Sequence, residues 1–134
     1  MAVAREKEEV FALLVVGSRT VTDYSFVRKK LEHLTSYIKS RYDILIVSGG
    51  AKGADTLAER YAVEKGYRFI CFKPDWTNGK KAGYIRNRKM HEYVSRYAKR
   101  GCVVFWDGVS KGTTHSFDLA KEFGTPLRVI RKER

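Results

Sequence analysis

The segment Ser48-Gly49-Gly50-Ala51-Lys52-Gly53-Ala54-Asp55 sets three glycines directly ahead of a helical pattern. Glycines let a backbone turn sharply and approach a ligand, and the first turn of the following helix offers unpaired N–H groups to a phosphate. The segment nearly matches G-x-G-x-x-G, with Ser48 in the first glycine position, and Asp75 lies about twenty residues on, where an acid that binds ribose is expected. It is not a P-loop, because Lys52 precedes Gly53 and no Ser or Thr comes next. Ser110, Gly112 and Thr113 open a later helical pattern in the same manner, their hydroxyls serving as caps or phosphate donors. Gly17, Ser18 and Arg19 follow an apolar run, and the guanidinium can give an anion two parallel hydrogen bonds.

Charge supports an anionic partner. The chain of 134 residues carries 27 Lys and Arg against 15 Asp and Glu, a net of +12. From Lys73 to Arg100 there are nine basic residues against Asp75 and Glu92. Many of these charges are simply solvated. Arg86 and Asn87, near a helix start beside the Gly79–Gly83 loop, are the ones expected to enter a site. Trp76 and Trp106 each follow a β-rich run, where a base or ribose could stack on them or where they could pack as core. His115 is expected in a glycine loop, where it could move protons; His33 and His91 fall in helical patterns, as structural or exposed residues. No Cys/His set has the spacing of metal ligands, and Ser110 with His115 lacks the third member of a triad. No cofactor is expected.

Five short β-rich runs must position these residues: Val10–Val16, Asp43–Val47, Arg68–Phe72, Cys102–Trp106 and Leu127–Ile130. Between them lie apolar stripes at helical spacing. The first is Val27, Leu31, Leu34 and Ile38, with Thr22 or Asp23 to cap it; the second is Ala54, Leu57, Ala58, Tyr61 and Ala62, stopped by Gly66. Met90, Tyr93, Val94 and Tyr97 form a third stripe; Phe117, Ala120 and Phe123 form a fourth, ending at Gly124 with Pro126 beyond. Strands apolar almost throughout, separated by helices, call for a doubly wound, mainly parallel five-stranded sheet with helices on both faces, an α/β Rossmann-like fold in one domain spanning 1–134. In such sheets ligands sit outside the carboxyl ends of the strands. Four consecutive strand ends here carry glycines, hydroxyls, bases or aromatics, and that coincidence is the main functional signal.

With 43% hydrophobic residues the chain can bury a core, which excludes wholesale disorder. Cys71 and Cys102 sit inside apolar runs and are expected as reduced core thiols. The Phe11–Val16 run is too short for a signal sequence, and Glu6, Glu8 and Glu9 precede it where basic residues belong, so a cytoplasmic protein without membrane contact is expected.

Five blocks in order, Val15–Thr20 (VVGSRT), Ser48–Asp55 (SGGAKGAD), Asp75-Trp76, Gly83–Asn87 (GYIRN) and Phe105–Thr113 (FWDGVSKGT), resemble the SLOG superfamily, and most nearly its small YspA/cpYpsA-related branch. The resemblance implies a Rossmann-like fold binding nucleotides or their derivatives, as in LOG phosphoribohydrolases, molybdenum cofactor carriers, DprA/Smf proteins and sensors of NAD-derived signals. In LOG enzymes an arginine and a glutamate carry cleavage of an N-glycosidic bond. Arg86 looks like that arginine, whereas the glutamate position holds Ser116, leaving Asp55, Asp75 and Asp107 as candidate substitutes.

The expectation is therefore a nucleotide-derived ligand, a nucleoside phosphate or NAD derivative, held at the strand ends by a sensor or an N-glycosidic hydrolase. Its phosphates would rest on the Ser48, Gly49, Gly50, Gly53 and Ala54 backbone and on that of Ser110, Gly112 and Thr113. Arg19 and Arg86 would neutralise charge, Trp76 or Trp106 would stack, and Asp55 or Asp75 would hold ribose hydroxyls. If a reaction occurs, Arg86 and Asp55 are its candidate catalytic residues. The alternative is single-strand nucleic-acid binding similar to DprA/Smf, on the basic stretch with Tyr84, Tyr93 and Tyr97 interleaved. Analogy with LOG dimers suggests a homodimer.

Overall fold

A computed structural model describes residues 9–132; Glu6 and Glu8 lie outside them. Five strands, β1 (Val10–Gly17), β2 (Asp43–Ser48), β3 (Arg68–Cys71), β4 (Lys99–Trp106) and β5 (Leu127–Arg131), alternate with four helices, α1 (Tyr24–Ile38), α2 (Ala54–Lys65), α3 (Ala82–Val94) and α4 (Lys111–Glu122). A 3-10 segment, Trp76–Lys81, leads into α3 and breaks at Gly79. All strand pairs are parallel, in the order β3-β2-β1-β4-β5. The chain runs outward from β1 through β2 to β3, then returns to the other side of β1 for β4 and β5. The reversal falls between β1 and β4, whose carboxyl ends are in register from Phe11 opposite Lys99 to Gly17 opposite Phe105.

Alternation along β1 divides the core in two. Leu13 and Val15 pack with Val27 and Leu31 of α1 and with Ala58, Tyr61 and Ala62 of α2. Ala12, Leu14 and Val16 pack on the opposite face with Met90 and Val94 of α3. A strand buried on both faces needs apolar side chains at every position, which is why β1 reads as a continuous run. Asp23 caps α1 by accepting from the Phe26 N–H, and α2 stops at Gly66. No helix among the described residues is long and apolar enough to cross a membrane.

Most boundaries shift by a single residue; three departures from the sequence reading are larger. β4 begins at Lys99 because Phe11 and Ala12 extend the β1 ladder past the polar residues Lys99 and Arg100, so pairing rather than apolarity sets its start. α3 ends at Val94, and Tyr97 leaves the third stripe; its hydroxyl meets that of Tyr93 at 2.8 Å across the helix end. His115 lies within α4, not in a glycine loop. Cys102 is buried and Cys71 half-buried, both as free thiols. Gly83 sits inside α3 with open space where a side chain would go. Gly83→Ala is expected to raise stability by about 0.5–1 kcal/mol, read as a shifted urea midpoint.

Candidate functional site

A cleft of about 430 Å³ opens at the β1/β4 reversal. The β1–α1 loop supplies Gly17, Ser18, Arg19 and Thr20, and the α4 end supplies Ser110, Gly112, Thr113 and Ser116. Trp76, Lys80, Gly83, Tyr84, Arg86 and Asn87 come from the 3-10 segment and α3, while Ala51 and Asp55 come from the loop and first turn at α2. Four strand ends thus contribute, β3 reaching in through the 3-10 segment.

Helix capping separates the cleft from the rest of the fold. α1, which takes no part, has its side-chain cap, whereas α2, α3 and α4 have none, and each lends first-turn residues to the cleft wall. Ser110 occupies the N-cap position of α4 but gives its hydroxyl to Asp107 Oδ2 at 2.8 Å. The N-terminal amides of α4 therefore keep their partial positive charge for whatever enters.

Arg86 and Asp55 meet over Gly49. Arg86 donates from Nη1 to the Gly49 carbonyl at 2.5 Å and from Nε to Asn87 Oδ1 at 2.9 Å. A Cβ added to Gly49 would lie 2.5 Å from Arg86 Nη1 and 2.8 Å from Asp55 Oδ2, so only glycine lets both groups lie flush on the backbone. Asp55 is buried; Oδ2 accepts from the Ala51 N–H at 3.3 Å, and Oδ1, shielded from solvent, has no hydrogen-bond partner. Desolvation pushes its carboxyl up to about 6, against the pull of the Arg86 charge and of backbone N–H groups at Ala51, Gly49 and Gly17. Burial likewise draws the Arg86 guanidinium below its usual value.

The three candidate acids fare differently. Asp107 accepts from the Val109 and Ser110 N–H groups and from the Thr20 and Ser110 hydroxyls, which hold its carboxyl far below the usual range. It ties the loop after β4 to the loop after β1. Asp75 accepts from Thr77 N and Oγ1, starting the 3-10 segment, and does not line the cleft. Asp55 is the one carboxylate lining the cleft among the described residues.

Ten of the sequence-selected residues line the cleft: Gly17, Ser18, Arg19, Asp55, Trp76, Arg86, Asn87, Ser110, Gly112 and Thr113. Ser48, Gly49, Gly50, Gly53 and Ala54 lie beneath or beside it. Ser48 is fully buried and donates to the Val15 carbonyl at 2.5 Å; Ala54 is fully buried. Gly50 abuts Cys71, and Gly53 abuts the Ser18 carbonyl. Trp106 packs edge-on against Phe117 at 5.4 Å and donates to the Ser110 carbonyl, outside the cleft wall, whereas Trp76 is 64% exposed within it. Thr20, Lys80 and Tyr84 also line the cleft, beyond the ligand contacts the sequence reading expects; Thr20 follows β1, Lys80 lies in the 3-10 segment and Tyr84 in the first turn of α3, all on the connections after β1 and β3.

His91 is fully buried on α3 with neither ring nitrogen hydrogen-bonded, and desolvation pulls it down to about 4 from 6.5. The unfolded chain then binds the extra proton first, so this group's contribution to stability is lost as pH falls from about 6.5 towards 4, by about 3 kcal/mol in total. Asp55 runs the other way, its raised folded value adding stability as pH falls through about 6. His91→Met should therefore gain on the wild type by about 3 kcal/mol between pH ~7 and pH ~4. Urea titrations at both pH values measure this, and a constant difference would refute it.

A profile of the family described as "YspA, cpYpsA-related SLOG family" matches residues 11–79, from β1 to the 3-10 segment. The Gene 61 protein of Mycobacterium phage D29 is 34% identical over 121 residues, covering 86% of this chain and 92% of that protein. Among solved structures, the C-terminal domain of the PF1911 hydrogenase from Pyrococcus furiosus superposes with a TM-score of 0.52 at 17% identity, covering 93% of this chain and 94% of that one. That last likeness concerns the fold alone.

Proposed function

Since the chain belongs to the YspA, cpYpsA-related SLOG family, we propose that its cleft binds a nucleotide or nucleotide-derived ligand, phosphate inward. The observation that carries this reading is the convergence of three helix starts that lack a side-chain cap with Arg19, Lys80 and Arg86 around one 430 Å³ opening. Amide N–H groups and guanidinium forks suit phosphate oxygens. Exposed Trp76 and Tyr84 at the mouth offer faces for a base. Asp55 and Arg86 would carry any N-glycosidic cleavage: the arginine would hold the phosphate, and the carboxyl, titrating near neutrality, would exchange a proton with the leaving base.

Thermal-shift measurements at low salt with 5′-monophosphates, NAD and ADP-ribose test the reading. A ligand at a hundred times its Kd should stabilise by about 2.7 kcal/mol, roughly an 8 °C rise in Tm. No shift with any of them would refute it. Product chromatography after incubation with the monophosphates tests cleavage separately.

A second reading, single-strand nucleic-acid binding, is favoured by the exposed Trp76, Lys80 and Tyr84 gathered at the same mouth. It predicts oligonucleotide affinity that falls steeply with salt. Tyr93 and Tyr97 do not support it, because both pack against the core face shared by α3.

A further inference from the structure

Arg86 is held from behind. Its Nε–H donates to Asn87 Oδ1, which fixes the Asn87 amide: Oδ1 faces the arginine and Nδ2 faces the other way. Nδ2 lies 3.3 Å from Nδ1 of His115 on α4. An amide nitrogen only donates. Nδ1 of His115 must therefore carry the lone pair, and the neutral ring must hold its proton on Nε2. Protonating His115 places an N–H against an N–H at this contact, and Asn87 must then turn or withdraw, releasing the Arg86 Nε–H.

We propose that His115 is a positioning residue for the cleft, fixing Arg86 through Asn87 and loosening it on protonation. This rests on the reading above that Arg86 holds the ligand's anionic group. The surroundings make the ring responsive. Its edge meets Tyr84, another cleft residue, at 4.8 Å between centroids. Asp118 and Glu122 on its own helix favour the charged ring, Arg88 on α3 opposes it, and His91 lies near enough to interact. Arg88 is itself paired with Glu122, tying α3 to α4 beside the ring. Burial is the largest influence and draws the imidazole below its ordinary value, so the ring is neutral and accepting at neutral pH. Ligand affinity then weakens in acid.

The test uses the full chain and two readouts. Long-range proton–nitrogen NMR reports each imidazole tautomer and the Arg86 Nε–H resonance without any ligand. His115 should show an unprotonated Nδ1, and the Arg86 signal should move with the His115 midpoint. An Nδ1–H tautomer, or an Arg86 signal that ignores the midpoint, would overturn the proposal.

Calorimetry then follows ADP-ribose, a diphosphate ester that keeps its charge, from about pH 8 to about pH 5. Asp55 titrates within the same range on the other side of Arg86, so the informative quantity is the difference between proteins. In His115→Gln the side-chain carbonyl still accepts from Asn87 but cannot titrate. Wild-type affinity should fall about tenfold more than that of this variant across the range, a coupling ordinary for linked sites. His115→Phe, with no acceptor, should be weak throughout. Equal pH slopes in wild type and His115→Gln would overturn the proposal. If ADP-ribose fails to bind the wild type, the NMR readout alone decides the linkage, and the ligand reading falls only if NAD and the monophosphates fail as well.

Discussion

Arg86→Met is expected to abolish measurable nucleotide binding and to cost about 2 kcal/mol of stability at neutral pH. The figure sits below that for a fully buried pair because Arg86 is half-buried and solvent screens part of its charge. Two hydrogen bonds go, to the Gly49 carbonyl and to Asn87 Oδ1, and Asp55 is left buried without its nearby cation. The Asp55 carboxyl, already at about 6, must rise further. A carboxyl whose folded value exceeds its unfolded one adds stability below the unfolded value and loses it as pH rises through the folded one. The variant should therefore be more stable at pH ~5 than at pH ~8 by more than the wild type is. Adding Asp55→Asn removes the stranded charge, and the double variant should recover about 1–2 kcal/mol. Urea titrations of the four proteins measure the coupling; strict additivity would show that the two groups do not sense each other. Arg86→Lys should fail to restore binding, because an ammonium cannot reach the Gly49 carbonyl and Asn87 with a planar fork.

Gly53→Ala is expected to be the more damaging change to the fold, by about 4 kcal/mol, combining backbone strain with overpacking. Gly53 is the N-cap of α2, with φ 84° and ψ −133°, a conformation that side chains disfavour strongly. Its absent Cβ would lie 2.5 Å from the Ser18 carbonyl oxygen and 2.7 Å from the Arg19 Cα. Those neighbours are backbone and cannot swing aside. Relief requires the β1–α1 loop to move, and that loop carries Ser18 and Arg19 into the cleft and buries Val21. Stability and ligand affinity should fall together. A Gly53→Ala protein within about 1 kcal/mol of the wild type in urea would show that the loop yields easily. Gly83→Ala, changed in the same chemical way, should do the opposite, since nothing lies within 4 Å of the Cβ it would add.

The contrast between these glycines marks what one-dimensional reading can reach. Ser48–Asp55 announces a turn that needs glycine, yet only the packing of α2 under the β1–α1 loop says which glycine is irreplaceable. The same holds for the aspartates. Asp55, Asp75 and Asp107 all follow strands and looked interchangeable in sequence. Their roles separate because Asp107 meets two N–H groups and two hydroxyls, Asp75 starts a 3-10 turn, and Asp55 is buried beside Arg86. Hydrogen-bond partners up to 95 positions apart, such as the Ser18 and Thr113 hydroxyls, have no local signature.

The amino-acid sequence by itself determined the alternation of strands and helices, because side-chain periodicity is written locally and each burial face must be filled. It also determined which loops lie at the strand ends, since parallel strands joined by helices put every strand-to-helix turn on the same rim. The tertiary structure alone decided the order β3-β2-β1-β4-β5. That order sets the turns after β1 and β4 side by side and places Arg86 over Gly49 while Trp106 packs on Phe117. Strand adjacency is chosen by the packing of whole faces against one another, a property of the folded layers that no short stretch of residues carries.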